Sequence, residues 1–177
     1  GCNFIRCSHY PQDPAFYDAC DSLGILLWIE VPTWQGNTAS YSQTWRDNLV
    51  RFCRPMIRSA WNHPSAAIWA AGPNEAAMNT AFDKILNDAA HAEDPTRPTT
   101  MARNYNANPN TYDIYGGNWF TNLPASNPDP NTLGFLNSEH TGHTYETARN
   151  ATEPTLVEHA ARHENMIHLG RQQAWVH

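Results

Sequence analysis

The chain has 177 residues, 41% of them hydrophobic and only 16% charged, with a formal net charge of −6 and seven Trp, seven Tyr and six Phe. That composition excludes a disordered tail, and its eleven cations, all arginine except Lys84, form no basic run of the kind nucleic-acid phosphates demand. No apolar stretch approaches the ~20 residues of a membrane-spanning helix, so a globular chain is expected, with its compartment left open.

Short apolar runs alternate with helix-like windows, which predicts an α/β protein with parallel strands. In chain order, a strand at Asn3–Cys7 leads to a helix at Asp13–Ser22, closed by the glycine of Ser22-Leu23-Gly24. A strand at Ile25–Glu30 leads to a helix at Gln43–Trp61, in which Pro55 implies a kink or break. A strand at Ala66–Ala71 leads to a helix at Ala76–Ala92, stopped by the prolines of Asp94-Pro-Thr-Arg-Pro98. Strands at Thr99–Ala102, Tyr112–Tyr115 and Gly134–Asn137 follow, then a helix at Thr155–Leu169. The proline- and asparagine-rich stretch 121–133 reads as a surface loop near a working site. Cys2, Cys7, Cys20 and Cys53 show no CxxC pairing and read as buried small hydrophobes.

Nearly every strand ends in polar or aromatic residues: Ser8-His9-Tyr10, Glu30, Asn74-Glu75, Arg103-Asn104, Tyr115 with Asn118-Trp119, and Ser138-Glu139-His140. Functional groups delivered from the C-terminal ends of many successive strands are the arrangement of a (β/α)8 barrel, whereas an open sheet gathers them at one switch point. No GxGxxG or GxxxxGK loop supports nucleotide binding, and no GxSxG elbow supports a serine hydrolase.

Two carboxylates stand out, because Glu75 and Glu139 each follow an apolar strand directly and would project towards a common mouth. Glycoside hydrolysis needs such a pair, one carboxyl giving its proton to the leaving oxygen and one ionised at the anomeric carbon. Helix capping and pairing with arginine are the ordinary uses of a lone strand-end glutamate; two of them beside Asn and aromatics shift the reading towards catalysis.

The run Asn3-Phe-Ile-Arg6-Cys-Ser-His9-Tyr10-Pro11, with Phe16-Tyr17, Asp21 and Gly24-Ile-Leu-Leu-Trp28, resembles the first signature of the glycoside hydrolase family 2 catalytic barrel, the β-galactosidase family. Asn62-His63-Pro64-Ser65, Trp69 and Asn74-Glu75 resemble its acid/base segment, and Ser138-Glu139-His-Thr-Gly-His143 its nucleophile segment. The resemblance implies a partial TIM barrel holding about strands two to seven of eight, with residues 1–177 forming one incomplete catalytic domain. It implies that Glu75 is the acid/base and Glu139 the nucleophile of a retaining exo-glycosidase acting on terminal β-linked sugars through a covalent glycosyl-enzyme. Such chemistry asks for a raised pKa at Glu75, an ionised Glu139, and carboxyls ~5–5.5 Å apart.

By the same resemblance, Asn74 would bond the sugar 2-hydroxyl, Tyr115 would orient the nucleophile, and Arg6 and His9 would hold the nucleophile ionised and contact the sugar. Asn118 and Trp119 would shape the sugar subsite. No cofactor is required, although Glu30 sits where some family members bind a divalent cation such as Mg2+. The partner is a carbohydrate, and the family's added β-sandwich domains imply a multidomain parent that could be a homo-oligomer. A non-catalytic sugar-binding module or an inert fragment of the same fold is the alternative.

Some features depart from the family pattern. Ala66-Ala67 and Ala70-Ala71 are smaller than the family usually has, which would loosen the barrel interior unless larger neighbours compensate. Among the histidines, His159 and His163 lie four apart on one helix face, but His163 and His168 are five apart and diverge by about 140°. The HExxH zinc pattern therefore fails, and a solvated helix face is expected. A whole barrel takes ~250 residues, so the expectation is a chain that opens on strand two and stops, at Ala174–His177, before strand eight.

Overall fold

A computed structural model describes residues 2–35, 40–77, 79–104, 111–120, 132–141 and 150–172. Most of the proposed 121–133 loop, His143 of the nucleophile segment and the stretch from Ala174 onward lie outside the described residues.

Among the described residues, seven strands and four helices follow in the order β1 (Phe4–Cys7), α1 (Pro14–Leu23), β2 (Leu26–Glu30), α2 (Gln43–Ala60), β3 (Ala66–Ala70), α3 (Thr80–Glu93), β4 (Thr99–Thr100), β5 (Ala102–Asn104), β6 (Ile114–Asn118), β7 (Gly134–Glu139) and α4 (Glu153–Gln172). Every strand pair is parallel, and the spatial order follows the chain: β1-β2-β3-β4, then β5-β6-β7. β4 and β5 are one segment interrupted at Met101, whose first half pairs β3 and whose second half pairs β6. Sequential order without reversal is the winding of a (β/α)8 barrel, since a doubly wound sheet changes direction at a switch point. The strands form an incomplete barrel of this kind. No helix among the described residues is long and apolar enough to cross a membrane.

Strand alternation divides the core in two. Leu27 and Ile29 of β2 and Trp69 of β3 face outward onto Tyr17 and Cys20 of α1, Cys53 and Ile57 of α2, and Phe82 and Leu86 of α3. Trp28, Ile68, Ala70 and Ala102 face inward, with Phe4, Ile114 and Leu136 packed against them. The small side chains of β3 leave no loose interior, because the Trp28 ring fills the space and is 1% exposed. A Cβ on Gly116 would collide with Cη2 of Trp28, so glycine is the residue that admits this ring.

Local chemistry explains the boundaries. Asp13 caps α1 by accepting the Ala15 N–H at 2.8 Å, with Pro14 at the first helical position, and Gly24 closes it at φ 68°. Ser42 accepts the Trp45 N–H to open α2. Asn79 caps α3 from the Phe82 N–H, so that helix starts four residues later than the alanines at 76 and 77 predict. α2 runs through Pro55 without a break, contrary to the sequence expectation, because the helix is anchored by buried Leu49, Cys53, Met56, Ile57 and Ala60 on both sides of the proline. β6 lies later than predicted and carries Gly116 and Gly117 inside a strand.

Cys7, Cys20 and Cys53 are buried free thiols, and burial pushes Cys7 and Cys53 up to about 12, whereas Cys2 is exposed rather than buried. Two polar networks brace the N-terminal end of β3. Asp21 of α1 accepts the Ser65 N–H and lies 2.7 Å from His63 Nδ1. Asp94 accepts from Trp69 Nε1, Arg97 and Thr96. The His-Pro-Ser stretch ahead of Glu75 is therefore a structural anchor at the bottom of the barrel, where stability rather than chemistry is built.

Burial alone pushes Asp94 up, but its donors from Thr96, Arg97 and Trp69 outweigh burial and hold the carboxyl far below its ordinary 3.8. A depressed folded-state pKa stabilises above that ordinary value, and the stabilisation fades as pH falls below it. Asp94→Asn is expected to cost about 1–3 kcal/mol at pH 7 and distinctly less at pH 3. Urea melts of both proteins at the two pH values check this, and an equal loss at both would contradict it.

Candidate active site

The C-terminal strand ends converge on a cavity of about 620 Å³ lined by His9, Trp34, Gln35, Glu75, Asn104, Phe120 and Glu139. Glu139 is the last residue of β7. A register shift between Gly117 and Asn118 pairs it with Asn118, although Phe135 on the same strand faces outward with Tyr115. Glu75 follows β3 with φ 54°, and Gln35 and Thr141, beyond β2 and β7, also take left-handed backbone at φ 53° and 52°. Three non-glycine residues in a sparsely populated region, all at the rim, mark a place where the surrounding contacts hold strain.

Arg6 of β1 organises the floor. Its Nε bonds Glu30 Oε1 of β2, Nη1 lies 2.5 Å from Glu139 Oε1 and 3.4 Å from the Ser138 carbonyl, and Nη2 donates to Asn74 Oδ1 at 2.5 Å. His9 Nδ1 lies 3.2 Å from Glu30 Oε2 and 3.4 Å from Arg6 Nη2. The shorter contact suits an Nδ1–H donating to Glu30, since a guanidinium cannot accept. The His9 ring stacks on Trp34 with centroids 6.3 Å apart and planes 21° apart, and Trp34 is 59% exposed, an aromatic wall at the mouth.

Glu75 is held by amides rather than by cations. Gln35 Nε2 donates to Oε2 at 3.0 Å, and Asn118 Nδ2 donates to Oε1 at 2.8 Å. Burial alone pushes its carboxyl up, yet the donors Gln35, Asn118 and Asn104 and the charge of Arg6 outweigh burial and leave it below the ordinary carboxylate value. The raised value that the sequence reading asked for is thus not the state of this structure, because both oxygens already accept N–H donors. Gln35 is fixed in turn, its N–H donating to the Asn74 carbonyl at 2.6 Å and its own carbonyl accepting from Tyr41 Oη at 3.1 Å.

Glu75, Glu139, Arg6, His9, Asn74 and Asn118 are brought together as expected. Tyr115 and the Trp119 ring are not. Tyr115 alternates with Ile114, an inward residue, and is buried on the outward face against Phe135 and Trp119 with the Arg103 guanidinium 5.9 Å from its ring centroid. The Trp119 ring folds back over Gly117, where any Cβ would collide with it. Trp119 acts instead through its backbone, its N–H donating to the Glu139 carbonyl at 2.8 Å. Asn104 lies at the end of β5, where the strand-end pattern places it, whereas Trp34, Gln35 and Phe120 carry no motif or periodicity that marks them in the sequence.

Glu30 does not suit a divalent cation as it stands, because its two oxygens face Arg6 and His9 and an added ion would sit against the guanidinium. Asp18, Asp21 and His63 place ligand atoms within 4.8 Å of one another, but Asp21 already holds His63 and the Ser65 N–H.

Comparison with known proteins decides the family. The sequence profile described as "Glycosyl hydrolases family 2, TIM barrel domain" matches residues 1–166. The chain belongs to this family. It is 36% identical over 172 residues to a beta-galactosidase of Thermoanaerobacterium thermosulfurigenes, covering 91% of this chain and 23% of the relative. It is 34% identical over 161 residues to a beta-glucuronidase of Bacteroides fragilis, covering 81% of this chain and 22% of that protein. Among solved structures, the Parabacteroides merdae beta-glucuronidase matches with a TM-score of 0.60 and 33% identity over 67% of this chain and 16% of that one. A Bacteroides uniformis beta-glucuronidase covalently bound to cyclophellitol-6-carboxylate aziridine matches with a TM-score of 0.59 and 33% identity, over 68% of this chain and 17% of that one. The chain spans about a quarter of the length of the curated relatives it matches.

Gln35→Leu removes the donor at Glu75 Oε2 and is expected to raise the Glu75 pKa. Carbon-13 NMR titration of the Glu75 carboxyl reads this directly; an unmoved midpoint would mean that Asn118 and Asn104 set it without Gln35.

Proposed function

We propose that this glycoside hydrolase family 2 domain cleaves a terminal β-linked sugar with retention, Glu139 attacking the anomeric carbon and Glu75 serving as acid and then base. The observation that carries this reading is that two glutamates from different strand ends line one cavity with unlike partners, Glu139 against a guanidinium and Glu75 among amides. Unlike surroundings are how one site gives two carboxyls two roles. A relative held covalently to an aziridine inhibitor supports the covalent step.

In this mechanism the sugar enters past Trp34 and His9. Its glycosidic oxygen takes the position of the Gln35 amide at Glu75 Oε2, removing a donor and adding apolar bulk, so Glu75 takes up the proton it will deliver. Glu139 attacks as the leaving oxygen is protonated, the glycosidic bond breaks, and a glycosyl ester forms. Glu75, now ionised, takes a proton from water as that water displaces Glu139. Asn74 Oδ1 accepts from Arg6, and its Nδ2, buried and with no hydrogen-bond partner among the described residues, becomes the donor to the sugar 2-hydroxyl once the side chain turns towards the cavity. A β-galactoside is the first substrate to try, because the beta-galactosidase of T. thermosulfurigenes matches 91% of this chain; β-glucuronides are the second, for the relatives that carry that name.

Incubation with a 2-fluoro β-galactoside or 2-fluoro β-glucuronide followed by peptide mass spectrometry is expected to place the label on Glu139. A folded sample that takes up neither probe, or a label elsewhere, would sink the assignment. Glu75→Gln is expected to slow natural leaving groups at least 100-fold more than activated aryl ones, in line with the ~10²–10⁴ of general acid catalysis.

A further inference from the structure

Beyond Glu139 the chain runs into a line of polar contacts that the glycosidase mechanism does not use. His140 Nδ1 lies 2.9 Å from Thr141 Oγ1, the same hydroxyl lies 2.8 Å from His163 Nδ1, and His163 Nε2 lies 2.9 Å from His159 Nε2. Thr141 is 2% exposed, its backbone is left-handed, and its N–H donates to the Phe120 carbonyl at 3.2 Å, so its hydroxyl is fixed in place. The two histidines are one helical turn apart on α4, with ring centroids 4.7 Å apart, and both are half-buried and open to solvent. The helix face expected to be merely solvated is therefore an organised one.

From this geometry we infer that His159 and His163 form a binding site for a late first-row divalent cation, with Zn2+ or Cu2+ held between their Nε2 atoms. Tetrahedral zinc with Zn–N of 2.0–2.1 Å sets its nitrogen ligands about 3.3 Å apart, so the rings need to part by only about 0.4 Å. Binding requires an Nε2 lone pair on each ring, hence a hydrogen on each Nδ1. Thr141 Oγ1, 2.8 Å from Nδ1 and 3.3 Å from Nε2 of His163, packs beside that imidazole and gives its own proton to His140 Nδ1, while the metal replaces the Nε2–Nε2 contact. Water completes the coordination, and imidazole nitrogen favours copper and zinc over magnesium or calcium.

The site has a structural consequence. Met166 is the one buried residue among those described on α4, while Leu156, Val157 and Ile167 are 45%, 60% and 50% exposed, so few contacts hold this helix. The metal would cross-link one of its turns next to the residue pair that follows the proposed nucleophile.

The test is titration calorimetry of the 177-residue protein with ZnCl2 near pH 7.5, independent of any enzymatic activity. His159→Ala and His163→Ala are each expected to weaken the tightest site at least tenfold. His168→Ala, which removes a histidine paired with Gln172 on the same helix, is expected to leave it within twofold. Nitrogen-15 NMR supplies the second readout, with zinc shifting Nε2 of His159 and His163 ahead of the other ring nitrogens and circular dichroism verifying that each variant folds. Zinc affinity unchanged in the double variant His159→Gln/His163→Gln, or a loss in His168→Ala equal to that in His163→Ala, would overturn the site.

Discussion

One guanidinium holds the mouth of this barrel together. Arg6 reaches from the first strand to Glu30 on the second, Asn74 beyond the third and Glu139 on the seventh. These residues are up to 133 positions apart in sequence, so the side chain joins the two ends of the sheet arc. A planar fork with five N–H donors can make these contacts at once, and an ammonium cannot. The group is largely buried, and so is Glu30; neither charge is tolerable without the other. Placement of the proposed nucleophile thus depends on an ion pair whose acidic partner has no step of its own in the proposed mechanism.

Around that hub the molecule separates stability from chemistry by height. At the strand entrances, Asp21 with His63 and Ser65, and Asp94 with Trp69 and Arg97, tie the sheet to its helices. On the outer surface Glu93 links Arg54 and Arg58 across α2 and α3. At the strand exits, Gln35, Glu75 and Thr141 hold left-handed backbone, and amide donors hold one glutamate while a cation holds the other. Anchoring the bottom allows strain at the top.

Much of this was legible in the sequence wherever an apolar run ended in a polar group. Glu75, Glu139 and Asn118 were found that way, and the alternation of strands and helices gave the barrel. Errors came where one residue type serves two purposes. The strand read as Tyr112–Tyr115 stops short of Gly116 and Gly117, which sit inside β6 and make room for the rings of Trp28 and Trp119. Tyr115, given its site role by the family resemblance, lies inside β6, where alternation turns it outward. Ala76 and Ala77 read as helix, yet the strained turn at Glu75 and the cap at Asn79 delay α3. Trp34 and Gln35 were missed because only the fold brings the loop after β2 alongside Asn74.

The filled interior ties several positions to one another. Trp28 occupies space that a barrel usually divides among several aliphatic side chains, and it fits because Ala70 and Ala102 are small and residue 116 has no side chain. These four positions can therefore drift only as a set: a larger residue at 70, 102 or 116 requires a smaller one at 28. The alanines of β3 are thus one half of an exchange of volume whose other half lies on β2.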